Sequence, residues 1–430
     1  MEATLSQSEV RRSFALGVFN GALFNFASRL IDPPLVLTWF VSQLTPSNLL
    51  VGMVSPLGTA AWLLPQVFFS PRVQRMQRKM RSYSIAGVIR VSIWLLLAGM
   101  LWFVDQPALL LLTFFVLYTT AWLVGGMAGL SFFDVVAKTI PTTRRGSLFA
   151  WRQFIGGLLG LGAGWVVTRI LNQPGLPFPQ GHAVLFLLYG LTIAPAVGAF
   201  SAIREPAGEP GIDPQSLNEQ LRRALSVLRR DDVYRRYMAA RLALGLAEIA
   251  LPFYAVYAKR VLGAPDGMVG VYVAARVAAQ LLFNLPWGWL SDRQGNQAVM
   301  RLMSAGGGLA ALLAIGLVVL VNLAHPEGRW LPYLVVPLFL LNGAVLPAKV
   351  LSGSNFLLEL VPAGERPLYL GLSNTMMGVV VLISGLGGLV IDLLGFTGLF
   401  VLAAGLSVAA YVFASQLPNT RERAVRNEGR

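Results

Sequence analysis

Apolar residues run through this chain in long unbroken blocks. They neither alternate nor recur only every third or fourth position. Twelve such blocks read clearly: 13–41, 48–70, 82–104, 107–133, 147–171, 183–203, 237–262, 267–290, 297–323, 331–360, 367–394 and 396–416. About 20 helical residues at about 1.5 Å each cross a hydrocarbon layer roughly 30 Å thick. Backbone groups in lipid must be bonded within the protein, and the alternation expected of barrel strands is missing. The pattern predicts an all-α polytopic membrane protein with twelve transmembrane helices.

Between the sixth and seventh blocks the pattern changes. "REPAGEPGIDPQSLNEQLRRALSVLRRDDVYRR" opens on Pro and Gly and then turns amphipathic, with Leu217, Leu221, Leu225 and Leu228 on one face and arginines opposite. This predicts a linker carrying an interfacial helix. The chain divides into an N-terminal six-helix half (1–203), a cytoplasmic linker (204–236), a C-terminal half (237–416) and a cytoplasmic tail (417–430).

Composition agrees: 55% of the 430 residues are hydrophobic and 13% charged, against about 25% charged in soluble domains, and the mean hydropathy is +0.64. With no cysteine and two histidines, disulfide frameworks and thiolate metal sites are excluded and a histidine metal site is not expected. A net charge of +14 would point to nucleic acid in a soluble chain; in a membrane protein it marks flanks facing the cytoplasm. Arg11, Arg12, Arg72, Arg75, Arg78, Lys79, Arg81, Lys138, Arg144 and Arg145 fall on one side of the predicted membrane, with the arginine-rich linker and tail. Lys259, Arg260 and Arg329 fall on the other. That asymmetry predicts both termini in the cytoplasm, and the arginine-rich composition, with Lys79, Lys138, Lys259 and Lys349 the only lysines, suggests a prokaryotic inner membrane. No signal-peptide cleavage site follows the first block, so its retention is expected.

The halves repeat. "LLPQVFFSPR" (63–72) aligns with "NLPWGWLSDR" (284–293), and "IPTTRRG" (140–146) with "VPAGERP" (361–367), both at an offset of 221 residues. Six spans per unit give the two copies the same orientation, a parallel repeat. The stretch "GWLSDRQGNQ" (288–297) carries the more specific signal. Gly288, Leu290, Asp292, Arg293 and Gly295 match a G-x-L-x-D-R-x-G-[RK]-[RK] pattern; Asn296 and Gln297 stand at its basic positions. In the first half Arg72 and Arg75 remain, but Val67, Pro71 and Gln74 replace Gly, Asp and Gly. With twelve spans and a basic linker, the chain resembles the major facilitator superfamily over roughly 13–416. The resemblance implies two six-helix halves alternating around a midplane site, with spans 1, 4, 7 and 10 lining it. It also implies a cytoplasmic gate at Asp292 and Arg293, for which we expect the pairs Arg72 with Asp134 and Arg293 with Glu359. An ordinary solvated turn is the alternative.

Ionisable groups inside a span are costly and face a cavity or a partner. Asn25, Arg29 and Asp32 share a face of span 1, as do Arg241 and Glu248 in span 7, Arg276, Gln280 and Asn284 in span 8, and Asn342 and Lys349 in span 10. Arg90 and Arg152 are placed nearer the cytoplasmic end. We expect Asn25, Arg29, Arg276, Gln280, Asn342 and Lys349 to bind substrate, and Asp32 and Glu248 to carry protons. A carboxylate beside an arginine can exchange a salt bridge for a proton. Structural pairing of Arg29 with Asp32 and of Arg276 with Glu248 is the alternative.

There is no Walker lysine loop, dinucleotide fingerprint or Ser-His-acid set, so neither an enzyme nor a cofactor is expected. The predicted function is secondary active transport of a small organic solute by alternating access, coupled to protons, by a monomer in contact with lipid. The excess of cations over carboxylates tilts the substrate toward an anion or zwitterion. A polyspecific efflux pump is one alternative, and a membrane sensor or assembly factor on the same fold another.

Overall fold

The computed structural model describes residues 6–207, 226, 228, 230–361 and 366–419. Among them there is no strand, and nine helical segments are long and apolar enough to cross a membrane. One, Met268–Ala324, is two helices joined at Gly295, whose φ of 81° only glycine adopts without strain. Gly387–Ser415 is likewise divided at Gly395 (φ 68°). Both breaks fall where the hydropathy pattern separates spans 8 from 9 and 11 from 12. Shorter apolar helices occupy Asn48–Leu64 and Tyr369–Ser384. The arrangement is consistent with twelve crossings. Large apolar side chains such as Phe103, Leu112, Leu285 and Leu393 are exposed, the inverse of a soluble surface. The amphipathic linker helix predicted over Leu217–Leu228 lies outside the described residues, apart from isolated positions.

Two spans expected to be continuous are broken by proline, which lacks an N–H and clashes with the preceding turn. The first begins at α1 (Gln7–Leu30), where Ser6 and Glu9 cap each other across 2.8 and 3.2 Å. Pro33 and Pro34 end its ladder, the backbone passes through a π turn (Pro33–Leu37), and α2 (Thr38–Leu44) completes the span. The seventh comprises α8 (Asp232–Ala247), a 3₁₀ turn over Glu248–Ala250, and α9 (Leu251–Arg260) with Pro252 in its first turn. Asp32 and Glu248 sit at these two breaks.

Between these breaks lie α3 (Asn48–Gln74), α4 (Met80–Phe103), α5 (Pro107–Thr139), α6 (Thr142–Leu171) and α7 (Gln180–Ser201). After them come α10 (Met268–Ala324), α11 (Val336–Leu360), α12 (Arg366–Ser384) and α13 (Gly387–Ser415). They form two compact units. The first comprises Met1–Pro46, Leu57–Pro214 and Pro265–Ala274. In it α1 packs on α6 and α7, and α4 on α5 and α7, around Tyr83, Val135, Leu148, Val197 and Phe200. A Cβ on Gly126 would stand 2.3 Å from the Trp62 carbonyl oxygen, so α3 and α5 touch through backbone. Segment 265–274 joins this unit through Trp39 Nε1 donating to Asp266 (2.9 Å) and Gly267 N donating to Asn172 (3.0 Å).

The second unit comprises Ser47–Pro56, Gln215–Ala264 and Ala275–Arg430. Here α8 packs on α12 and α13, around Tyr234, Tyr237, Met300, Phe356 and Leu372. Segment 47–56 is held by Asn48, which donates to Asp392 (2.6 Å) and accepts from Arg260 (2.7 Å). The compact units therefore differ from the halves 1–203 and 237–416, because each takes in a ten-residue helix end from the other half of the sequence.

Candidate functional site

In the second unit a cavity of about 400 Å³ opens beside the Glu248 turn. Lys349 on α11 donates from Nζ to both carboxylate oxygens of Glu248, at 2.6 and 2.7 Å. The two side chains are 42% and 39% exposed, so the pair faces the cavity. Asn342 lies two helical turns before Lys349 on the same face and lines the same space, as do Arg241, Tyr254, Met303 and Met377. Arg241 is oriented by Tyr237 (3.2 Å) and by a hydrogen bond to Ser373.

The structure thus brings Glu248, Asn342 and Lys349 together and corrects the partner of Glu248. It pairs with Lys349, not with Arg276 or Arg241. Arg276 is only 7% exposed, and Gly343 presses on its backbone, where a Cβ would come within 2.1 Å of the Arg276 carbonyl. Neither Arg276 nor Gln280 is part of the cavity wall. Helical spacing shows which residues share a face, not which face borders the cavity; Arg276 is buried and Gln280 half-buried, both outside its wall.

In the first unit Arg29 and Asp32 form an ion pair of 3.2 Å, with side chains 17% and 4% exposed. Asn25 donates to the carbonyls of Gly21 (2.9 Å) and Arg152 (3.3 Å), which fastens α1 to α6. It also borders a second cavity, of about 330 Å³. Arg29 and Asp32 lie outside that wall, whereas Arg90 and Arg152 belong to it. Arg90 and Arg152 each lie ten residues into their helices, counted from Met80 and from Thr142. Arg90 is close to the middle of α4, roughly 15 Å along its axis from Met80 at about 1.5 Å per residue. The available signal was a mid-span arginine with no acidic residue at helical spacing.

The expected pair of Arg293 with Glu359 is not formed. Asp134 is held by Lys79 (2.5 Å) and Lys138 (2.8 Å), and the side chain of Arg72 lies outside the described residues. Glu359 accepts from Asn296 (2.7 Å), itself bonded to Ser291 (2.9 Å). Arg293 is exposed, its guanidinium 4.6 Å from the Trp289 ring centre. The amide at Asn296, where the motif has a base, reaches Glu359 in place of Arg293.

Long apolar helices with exposed apolar side chains, and no strands among the described residues, define an all-helical polytopic membrane protein. Residues 237–430 match the Major Facilitator Superfamily model, and the fold is that of solved transporters along nearly the whole length of the chain. A D-xylose–proton symporter superposes with a TM-score of 0.71 at 14% identity, covering 96% of this chain and 98% of that one. A bacterial homologue of the iron transporter ferroportin, in its inward-facing state, gives 0.72 at 14% identity, covering 96% and 99%. The nucleoside transporter NupG, as a point mutant, gives 0.68 at 16% identity, covering 95% and 100%. No curated protein matches the sequence.

Proposed function

We propose that the protein is a secondary active transporter of a small organic solute, working by alternating access and coupled to protons through Glu248. The observation that carries this reading is the Glu248–Lys349 pair, set at a helix break and facing a cavity of about 400 Å³, a volume suited to a small molecule. Protonation of Glu248 removes its charge and frees the Lys349 ammonium for a substrate group, and loss of the proton restores the pair. Asn342 and Arg241 supply further polar contacts. The fold shared with a proton symporter supports the same reading. Asp32, enclosed with Arg29, is the second candidate carrier.

The gate is retained in altered form: Asp292 beside the Ser291–Asn296–Glu359 chain in the second unit, and Asp134 with its lysines in the first. Both termini are cytoplasmic and the protein acts as a monomer. The test is a thermal-shift screen of the purified protein against a metabolite library, since a ligand selective for the folded state raises the melting temperature. Stabilising compounds are then assayed for uptake into proteoliposomes under a pH gradient. Uptake abolished by a protonophore is expected. Stabilisation without flux would overturn transport in favour of a sensor.

A further inference from the structure

The first unit's cavity holds an arrangement that the Glu248 chemistry does not use. Arg90 is 9% exposed and lines that cavity. Among the described residues no carboxylate pairs with it, and its Nε has no hydrogen-bond partner. What surrounds the guanidinium is aromatic: the ring centres of Phe24, Trp122 and Tyr189 lie at 5.4, 5.6 and 5.9 Å. Arg152, the second cation in the wall, is locked in place. Its Nη1 donates to the Gly17 carbonyl (2.6 Å) and Asn20 Oδ1 (3.0 Å), and its guanidinium stands 4.6 Å from the Phe132 ring centre. Gly21 makes room for it, since a Cβ there would sit 2.4 Å from Arg152 Cγ. Among the described residues the wall contains no Asp or Glu, and Trp62, Phe132 and Phe149 make much of the rest.

A buried guanidinium in a membrane span is retained where something compensates it. Faces of aromatic rings do so in part, but its N–H groups match the two oxygens of a carboxylate. The intact positive charge, the lack of any acid in the wall and the flat apolar sides define complementary chemistry. We infer that this cavity is an anion subsite, in which Arg90 ligates the carboxylate of an aromatic organic acid whose ring packs between Trp62 and the phenylalanines, with Arg152 as a fixed second charge. The inference rests on the transporter reading only in making this anion the transported solute.

The test uses 2-naphthoate and its neutral isostere 2-naphthamide, with the full-length protein in nanodiscs of zwitterionic lipid and binding measured by equilibrium dialysis. We expect naphthoate to bind and the amide to bind about tenfold more weakly or worse, as loss of a hydrogen bond to a charged group implies. Arg90→Gln should impose a similar loss at an unchanged melting temperature, and Arg90→Lys should recover part of it. Equal binding of acid and amide, no binding of either, or wild-type binding by a folded Arg90→Gln protein would overturn the site. If Arg90→Gln fails to fold, the acid–amide comparison on the wild type decides. Nanodiscs containing an anionic phospholipid separate the other source of such chemistry. Competitive loss of naphthoate binding there, with stabilisation by that lipid dependent on Arg90, would assign the cavity to a headgroup and refute the small acid. Counterflow of naphthoate in proteoliposomes keeps the two readings apart. Binding without counterflow supports the site and removes transport of this anion, whereas counterflow indifferent to Arg90→Gln retains transport and overturns the site.

Discussion

Replacing Glu248 by Gln keeps the length and shape of the side chain and removes its charge. In the folded protein Lys349 then keeps the amide oxygen as one acceptor and loses the ion pair that its contacts of 2.6 and 2.7 Å make with the two carboxylate oxygens. Both side chains are about two-fifths exposed, so water screens the pair, and such pairs contribute at most about 1 kcal/mol to stability. For a chain of this size that moves the melting temperature by about 2 °C or less. The functional effect is far larger. Each pH unit is worth about 1.36 kcal/mol per proton, a factor of ten. One proton per solute therefore sustains about hundredfold accumulation across a gradient of about two units. Glu248→Gln should bring that ratio to about one while substrate exchange at equal pH continues. The assay is uptake of a compound identified by thermal shift into proteoliposomes with and without a pH gradient, in parallel with melting curves. A well-folded Glu248→Gln protein that still accumulates substrate as the wild type does would refute the coupling role and turn attention to Asp32→Asn. A protein that melts many degrees early would show a structural role and refute the screening argument.

Gly295→Ala should lower stability by about 1 kcal/mol or more, because a φ of 81° strains any Cβ; a thermal melt reads it, and an unchanged transition would contradict the single-residue turn. Glu205 accepts from the backbone N–H groups of Lys79 (2.9 Å) and Met80 (2.7 Å) and from Lys138 (2.8 Å). Glu205→Ala should therefore cost about 1–3 kcal/mol, seen as a lowered melting temperature in detergent. Cysteines introduced into this cysteine-free chain at Gln77 should be shielded from impermeant maleimide in intact cells, and those at Gln173 and Gly328 should label. The opposite pattern would invert the orientation derived from Lys and Arg placement.

Much of the architecture was legible in the chain because lipid imposes a one-dimensional rule. A helix in hydrocarbon must be long and apolar whatever it packs against, so block lengths alone predict an all-helical membrane protein. The turn at Gly295 was equally readable, since the left-handed conformation is a local property of glycine. In the first half Gln74 stands at the equivalent position; there α3 simply ends, and several residues pass before α4 begins at Met80. The prolines after Asp32 and near Glu248 break the spans at the two carboxylates, an effect that block length and hydropathy do not register.

Which charges meet was decided by tertiary structure. Glu248 and Lys349 are 101 residues apart, and no periodicity ties a residue on one helix to one residue on another. Gly343 lets α11 approach the Arg276 backbone closely, and Arg276 is buried outside the cavity wall where spacing alone had placed it. In the first unit, packing gathers Arg90 and Arg152, from α4 and α6, around one space. The sequence alone determined that charged groups lie within the spans. Their partners depend on how the helices turn about their axes, and that rotation is set by close contacts at small residues such as Gly21, Gly126 and Gly343.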